Sequence, residues 1–117
     1  MDARAIVEDL YRSIDAMDAE AFSGFLTEGA SFRFANADPV VGKDNVREAV
    51  GGFFSMIAGL SHRLDNVWAQ GDDLISNGQF TYRRHDGSEL SVPFATIFKL
   101  EDGKIAEYLI YVDASAL

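Results

Sequence analysis

Between Ala3 and Met17 apolar residues recur three or four positions apart. Ile6, Leu10, Ile14 and Met17 form a stripe that Val7 and Tyr11 widen, with Glu8, Asp9, Arg12 and Asp15 opposite. Such spacing makes one side of a helix apolar and predicts an amphipathic helix against a core. Asp18 suits the N-cap of a second helix over Ala19 to Leu26, where Phe22, Phe25 and Leu26 share a side and Gly29 supplies the stop. The period then changes. Ala30, Phe32 and Phe34 alternate with Ser31 and Arg33, which predicts a brief half-buried strand, and Asn36-Ala37-Asp38-Pro39 reads as a turn. Beyond Gly42, the residues Val46, Val50, Phe53, Phe54 and Ile57 mark a third helix. Gly51-Gly52 lie inside it, at about 1 kcal/mol each relative to alanine.

Three turn-like clusters, Gly71-Asp72-Asp73, His85-Asp86-Gly87 and Glu101-Asp102-Gly103, divide the remainder into stretches rich in β-branched and aromatic residues. Four consecutive strands are predicted near Leu60 to Gln70, Leu74 to Arg84, Ser88 to Leu100 and Lys104 to Asp113. Each exceeds the usual strand of about 5–6 residues. Long antiparallel strands twist and curl, and only the apolar sides of the three helices are available to cover the concave face. The expected fold class is therefore α+β, with three N-terminal helices on a strongly curved antiparallel sheet.

Composition narrows the function classes. A chain of 117 residues, 48% hydrophobic, fits one domain spanning 1–117 with one substantial core. The absence of cysteine removes disulfides, thiolate metal sites and thiol nucleophiles. A formal net charge of −9 repels a phosphate backbone, so nucleic acid is not an expected partner. Met1-Asp2-Ala3-Arg4 lacks the basic-then-apolar pattern of a secretory leader, and no apolar run approaches the ~20 residues of a membrane span. The expectation is a cytoplasmic protein without membrane contact. Neither His62 nor His85 has metal-ligand spacing to other donors, and neither a glycine-rich phosphate loop nor a Ser-His-Asp arrangement is visible, so no metal and no cofactor are expected.

The order helix, helix, short strand, helix and four-strand meander resembles the nuclear transport factor 2-like superfamily, which includes SnoaL-like polyketide cyclases and ketosteroid isomerases. Its local carriers are Asp15-Ala16-Met17-Asp18-Ala19, Asp38-Pro39-Val40-Val41-Gly42 and Asp102-Gly103-Lys104-Ile105-Ala106-Glu107-Tyr108. The resemblance implies a cystatin-like cone whose interior is an apolar pocket, on a fold that hosts unrelated chemistries. In SnoaL-like cyclases an aspartate at the matching place after the Gly-Lys-Ile strand is the acid/base, and by that resemblance Asp113 would carry the proton. Strand alternation puts Asp113 on one face with Ile105, Glu107, Leu109 and Tyr111. In an apolar cone such a carboxylate would have a raised pKa.

His62 is the second candidate, because imidazole titrates near neutrality. If Leu64 faces inward, then His62, Asn66 and Trp68 do too, with Arg63 and Asp65 outside. Tyr82 falls where the isomerases place a pocket-lining aromatic, and Phe34, Phe53 and Phe54 extend that wall. The isomerase mechanism itself needs an aspartate base and an oxyanion hole of a tyrosine and a protonated aspartic acid. Here Leu10 stands at the helix-one tyrosine position with Tyr11 one place along, and Ala95 or Thr96 stands at the acidic donor. Asp38-Pro39 resembles the isomerase base motif but lies further from Asp18, so it is read as a turn. Tyr11 and Thr96 complete the expected lining, with Leu109 and Tyr111 from the last strand.

Two functions stay open. One is an acid/base isomerase, dehydratase or cyclase acting on a small apolar cyclic or polyketide-like molecule. The other is a non-catalytic module for small-ligand binding or association. A homodimer through the outer sheet face is expected in either case, since Ala95, Ile97, Ala106, Tyr108, Ile110 and Val112 are assigned outward and form a face too apolar for solvent.

Overall fold

Asp2 starts the first helix, its carboxylate accepting from the amides of Arg4 at 3.1 Å and Ala5 at 3.3 Å, two of the groups a helix start leaves unpaired. The computed structural model describes residues 2–117. Its elements are α1 (Ala3–Asp15), α2 (Ala19–Ser23), β1 (Leu26–Phe34), β2 (Val40–Val41), α3 (Lys43–Ser55), β3 (Gly59–Gln70), β4 (Asp73–Arg83), β5 (Glu89–Glu101) and β6 (Lys104–Val112). Asp18 caps α2 as expected, accepting from the Ala21 amide at 3.0 Å. The helices pack on one six-stranded sheet of order β2-β1-β6-β5-β4-β3. Among the described residues, no helix is long and apolar enough to cross a membrane.

The α+β class and the four-strand meander are as the sequence predicts, and two boundaries differ. α2 stops at Ser23, and Leu26 already belongs to β1, because the Ile105 amide donates to the Phe25 carbonyl and Leu26 pairs with Ile105. Pairing with a distant strand has overridden the helical spacing of Phe22, Phe25 and Leu26. β1 runs parallel to β6 while every other pair is antiparallel, so the sheet is mixed.

Faces of the sheet follow simple alternation only in part. On β4, Leu74, Ser76, Gly78, Phe80 and Tyr82 are all buried beneath the helices. β3 and β6 each carry a register shift, between Leu64 and Asn66 and between Ile105 and Glu107. One extra residue on one strand exchanges the faces of everything beyond it. Consequently His62 and Leu64 face the helices, as does Val67, while Asn66 and Trp68 point outward. On β6, Ile105 is buried, and beyond the shift Tyr108 and Ile110 are buried too. The expected inward set of Glu107, Leu109, Tyr111 and Asp113 is therefore corrected, and so is the outward placement of Tyr108 and Ile110. Arg63 and Asp65 lie outside as expected, joined to each other at 3.0 Å.

Gly78 is what lets the β3 shift form. A Cβ there would stand 1.8 Å from the Arg63 carbonyl oxygen, so no other residue fits without moving a strand. Gly78→Ala should destabilise the protein by at least about 2 kcal/mol in urea unfolding, as overpacking does. Gly52→Ala, on α3 with nothing within 4 Å of its Cβ, should instead stabilise by about 0.5–1 kcal/mol.

Candidate functional site

Tyr11 and Asp15 sit four residues apart on α1, on the side that meets β3, and both engage His62. One Asp15 carboxylate oxygen bonds the His62 ring at Nδ1, and the other accepts from the His62 amide at 3.0 Å. A carboxylate only accepts, so Nδ1 carries a proton, and in the neutral tautomer the lone pair is on Nε2. The Tyr11 ring stacks on the imidazole at 4.2 Å and 16°, and Phe80 meets it edge-on at 4.4 Å and 88°. These contacts leave the His62 side chain 3% exposed and Asp15 30% exposed.

His62 also lines a cavity of about 220 Å³ between the sheet and α3. About half of its lining residues are aromatic, with Phe34, Phe53 and Phe54 from the expected wall joined by Phe80 and Tyr108. Asp15 is not part of that wall but borders two outer clefts, one of them shared with Glu8, Arg12 and His62. The dyad thus stands in the wall with its carboxylate outside, and among the described residues Nε2 has no partner. Tyr82 lines the same cavity from β4, on the pair next to the His62–Phe80 pair, and burial alone raises its phenol pKa. Asp38, exposed in the turn after β1, borders the cavity as well.

Tyr11 has a different task from lining the cavity. Its hydroxyl bonds Ser76 at 2.7 Å and Thr96 at 2.8 Å, and those two hydroxyls bond each other, closing a buried triangle. Burial outweighs these bonds and pushes the Tyr11 pKa up to about 12. The Tyr108 hydroxyl, also buried, has no partner among the described residues, and burial raises its pKa well above the ordinary value.

Of the residues expected at the site, the structure brings together His62, Phe34, Phe53, Phe54 and Tyr82. Tyr11 and Thr96 lie in the core beside it. Asn66, Trp68, Leu109 and Tyr111 belong to the outer face, with Trp68 52% and Tyr111 54% exposed. Asp113 is exposed just past β6, beside a separate depression with Tyr111 and Ala114, and accepts from the Ser115 side chain and amide, which lowers its pKa. The expectation of a cavity-facing Asp113 with a raised pKa is thereby corrected. Asp15 went unnoticed as a partner of His62. The available signal was its position one turn from Tyr11 at the edge of the apolar stripe.

A helix-covered, curled sheet enclosing an aromatic cavity defines the nuclear transport factor 2-like fold. One solved structure with that fold, a protein of unknown function from Burkholderia pseudomallei K96243, superposes with a TM-score of 0.87 at 14% identity, covering 99% of this chain and 95% of that one. The SnoaL-like domain family matches residues 7–108, and the chain belongs to it. A candidate SnoaL-like polyketide cyclase from Jannaschia sp. CCS1 is similar at TM-score 0.78 and 21% identity, over 97% of this chain and 88% of that one. TerC, co-crystallised with polyporic acid, is similar at TM-score 0.83 and 14% identity, over 97% and 93% of the two chains. No curated protein matches by sequence.

The raised Tyr11 pKa has a defined sign for stability. The folded protein holds the phenol proton that the unfolded chain releases above about pH 10, so stability is complete below that pH and falls as pH rises toward about 12. Urea midpoints should be level up to about pH 10, where an unburied phenol ionises, and then decline. Tyr11→Phe should decline less steeply, and at neutral pH should lose about 1–2 kcal/mol with its two hydrogen bonds.

Proposed function

We propose that this protein is a cofactor-independent acid/base enzyme, an isomerase, dehydratase or cyclase, acting on a small apolar cyclic or polyketide-like molecule. The observation that carries the reading is an imidazole fixed by a carboxylate at Nδ1, with no partner for Nε2 among the described residues, in a side chain that lines an apolar cavity. His62 takes a proton from a carbon next to a substrate carbonyl. The C–H electrons move into the enolate, whose oxygen accepts from the Tyr82 hydroxyl. Asp15 holds the ring in one tautomer and stabilises the imidazolium, as a positioning residue. Return of the proton to another carbon completes an isomerisation, return to a departing hydroxyl completes a dehydration, and attack of the enolate on a second carbonyl, with the proton returned to the new alkoxide, completes a cyclisation. Membership of the SnoaL-like family and the likeness to a candidate cyclase support this class.

The alternative, a ligand-binding or association module, draws on the outer sheet face. Cross-strand pairing aligns Trp68, Ile75, Ile97 and Leu109 in one outward row, with Ala95 and Tyr111 in the next. A second copy of the chain would cover these rows, and the homodimer is proposed through them. Enzyme and dimer are compatible, so each has its own test.

Proton abstraction is read by incubating the protein with small cyclic ketones in D₂O and following loss of the α-proton signals by NMR. His62→Gln should slow exchange by about 10²-fold or more. Asp15→Asn should slow it less, and Asp113→Asn should leave it unchanged. An unaffected His62→Gln protein would remove the acid/base role. For assembly, sedimentation equilibrium should give twice the 12.8 kDa chain mass, and Ile97→Lys should give a folded monomer. A wild-type mass of one chain at tens of micromolar excludes the dimer.

A further inference from the structure

Size, wall and polar groups of the cavity together restrict what it can hold. An apolar cavity of ~150 Å³ holds one benzene ring of six non-hydrogen atoms, so the 220 Å³ here corresponds to roughly nine such atoms, most of a fused pair of rings. A four-ring skeleton of roughly twenty such atoms exceeds that capacity. Aromatic side chains make up about half the wall, and Phe53 stands edge-on to Tyr82 at 6.1 Å and tilted against Phe34 at 5.7 Å. Walls of ring faces and edges favour a flat ring over a puckered one, because a flat ring can stack or meet edge-to-face without leaving voids.

Apart from the exposed carboxylate of Asp38 at the border, the polar groups of the wall are concentrated at one place on the sheet. His62 pairs with Phe80 and Tyr82 pairs with Leu60, so His62 and Tyr82 are diagonal neighbours on one face, roughly 7–8 Å apart at the backbone. Nε2 offers a lone pair and the Tyr82 hydroxyl offers a proton. One oxygen that both donates and accepts satisfies the two at once. Tyr108 contributes its ring to the cavity wall, its own hydroxyl being buried away from solvent.

We propose that the ligand is a planar compound of one or two fused rings carrying a single enol, phenol or enolisable carbonyl oxygen, seated with that oxygen between His62 and Tyr82. This rests on the acid/base reading for the enolisable form, whereas size, planarity and orientation rest on the cavity alone. The seat excludes four-ring molecules, saturated rings of the same outline, and rings whose oxygen is capped.

Calorimetric titration with four probes tests each clause. 2-Naphthol should bind saturably and shift the His62 ring signals in NMR. 2-Methoxynaphthalene, decahydro-2-naphthol and a four-ring steroid phenol should each bind at least tenfold more weakly. A smaller difference for any of the three, or no saturable binding of 2-naphthol, overturns the proposal. Ala49→Trp, on a solvent-facing position of α3 at the cavity wall, should retain the fold by circular dichroism and lose at least tenfold in 2-naphthol affinity. Unchanged affinity in that folded variant places the probe elsewhere and also overturns the proposal. These equilibria involve no turnover. Binding as expected without deuterium exchange would defeat the acid/base reading alone, and exchange without this binding pattern would defeat the ligand class alone.

Discussion

Strands of nine to thirteen residues cannot remain flat in a sheet, and most of this molecule follows from that constraint. Right-handed twist accumulates along β3 to β6 and curls them, so the concave side has more apolar surface than flat packing could cover. α1 closes one region tightly against β3, and α3 stands over another where the walls stay apart. The cavity is the part of the concavity that the three helices leave unfilled. Its aromatic wall comes from the same alternation that builds the core, so the cavity arises without any departure from ordinary packing.

Within that frame, polar groups are placed in two different ways. Tyr11, Ser76 and Thr96 satisfy one another in the interior, which avoids the cost of unpaired hydroxyls and fixes the ring of Tyr11. His62 is satisfied on one nitrogen only. The Tyr11 ring, held from its far end by the triangle, in turn limits how the imidazole can rotate. A local arrangement of five side chains, Tyr11 and Asp15 from α1 with His62, Ser76 and Thr96 from β3, β4 and β5, therefore sets the direction of a single lone pair.

Most of the architecture was legible in the sequence. Turn clusters marked the meander, helical spacing marked α1 and α3, and the fold class followed from their order. Face assignment failed where an alternation was counted across a register shift. Nothing in Leu64-Asp65-Asn66 or Ile105-Ala106-Glu107 announces an extra residue, since a bulge is defined by the partner strand's backbone. Gly78 lies opposite the first shift, fourteen residues beyond Leu64, and a glycine within a strand becomes informative only once the pairing is known. Two miscounted strands displaced Asn66, Trp68, Leu109, Tyr111 and Asp113 together. Asp15 was hidden for a different reason. A charged residue at the edge of an apolar stripe reads as solvent-facing until a partner 47 residues away supplies the bond.

The Asp15–His62 contact is also a clasp. Together with the bond from the Arg4 guanidinium to the Leu64 carbonyl at 3.2 Å, it fastens both ends of α1 to β3. The same carboxylate that aims the imidazole anchors the first helix of the chain. A substitution at Asp15 that re-aims the imidazole therefore also loosens or tightens the opening helix, and compensation for it must come from elsewhere in α1.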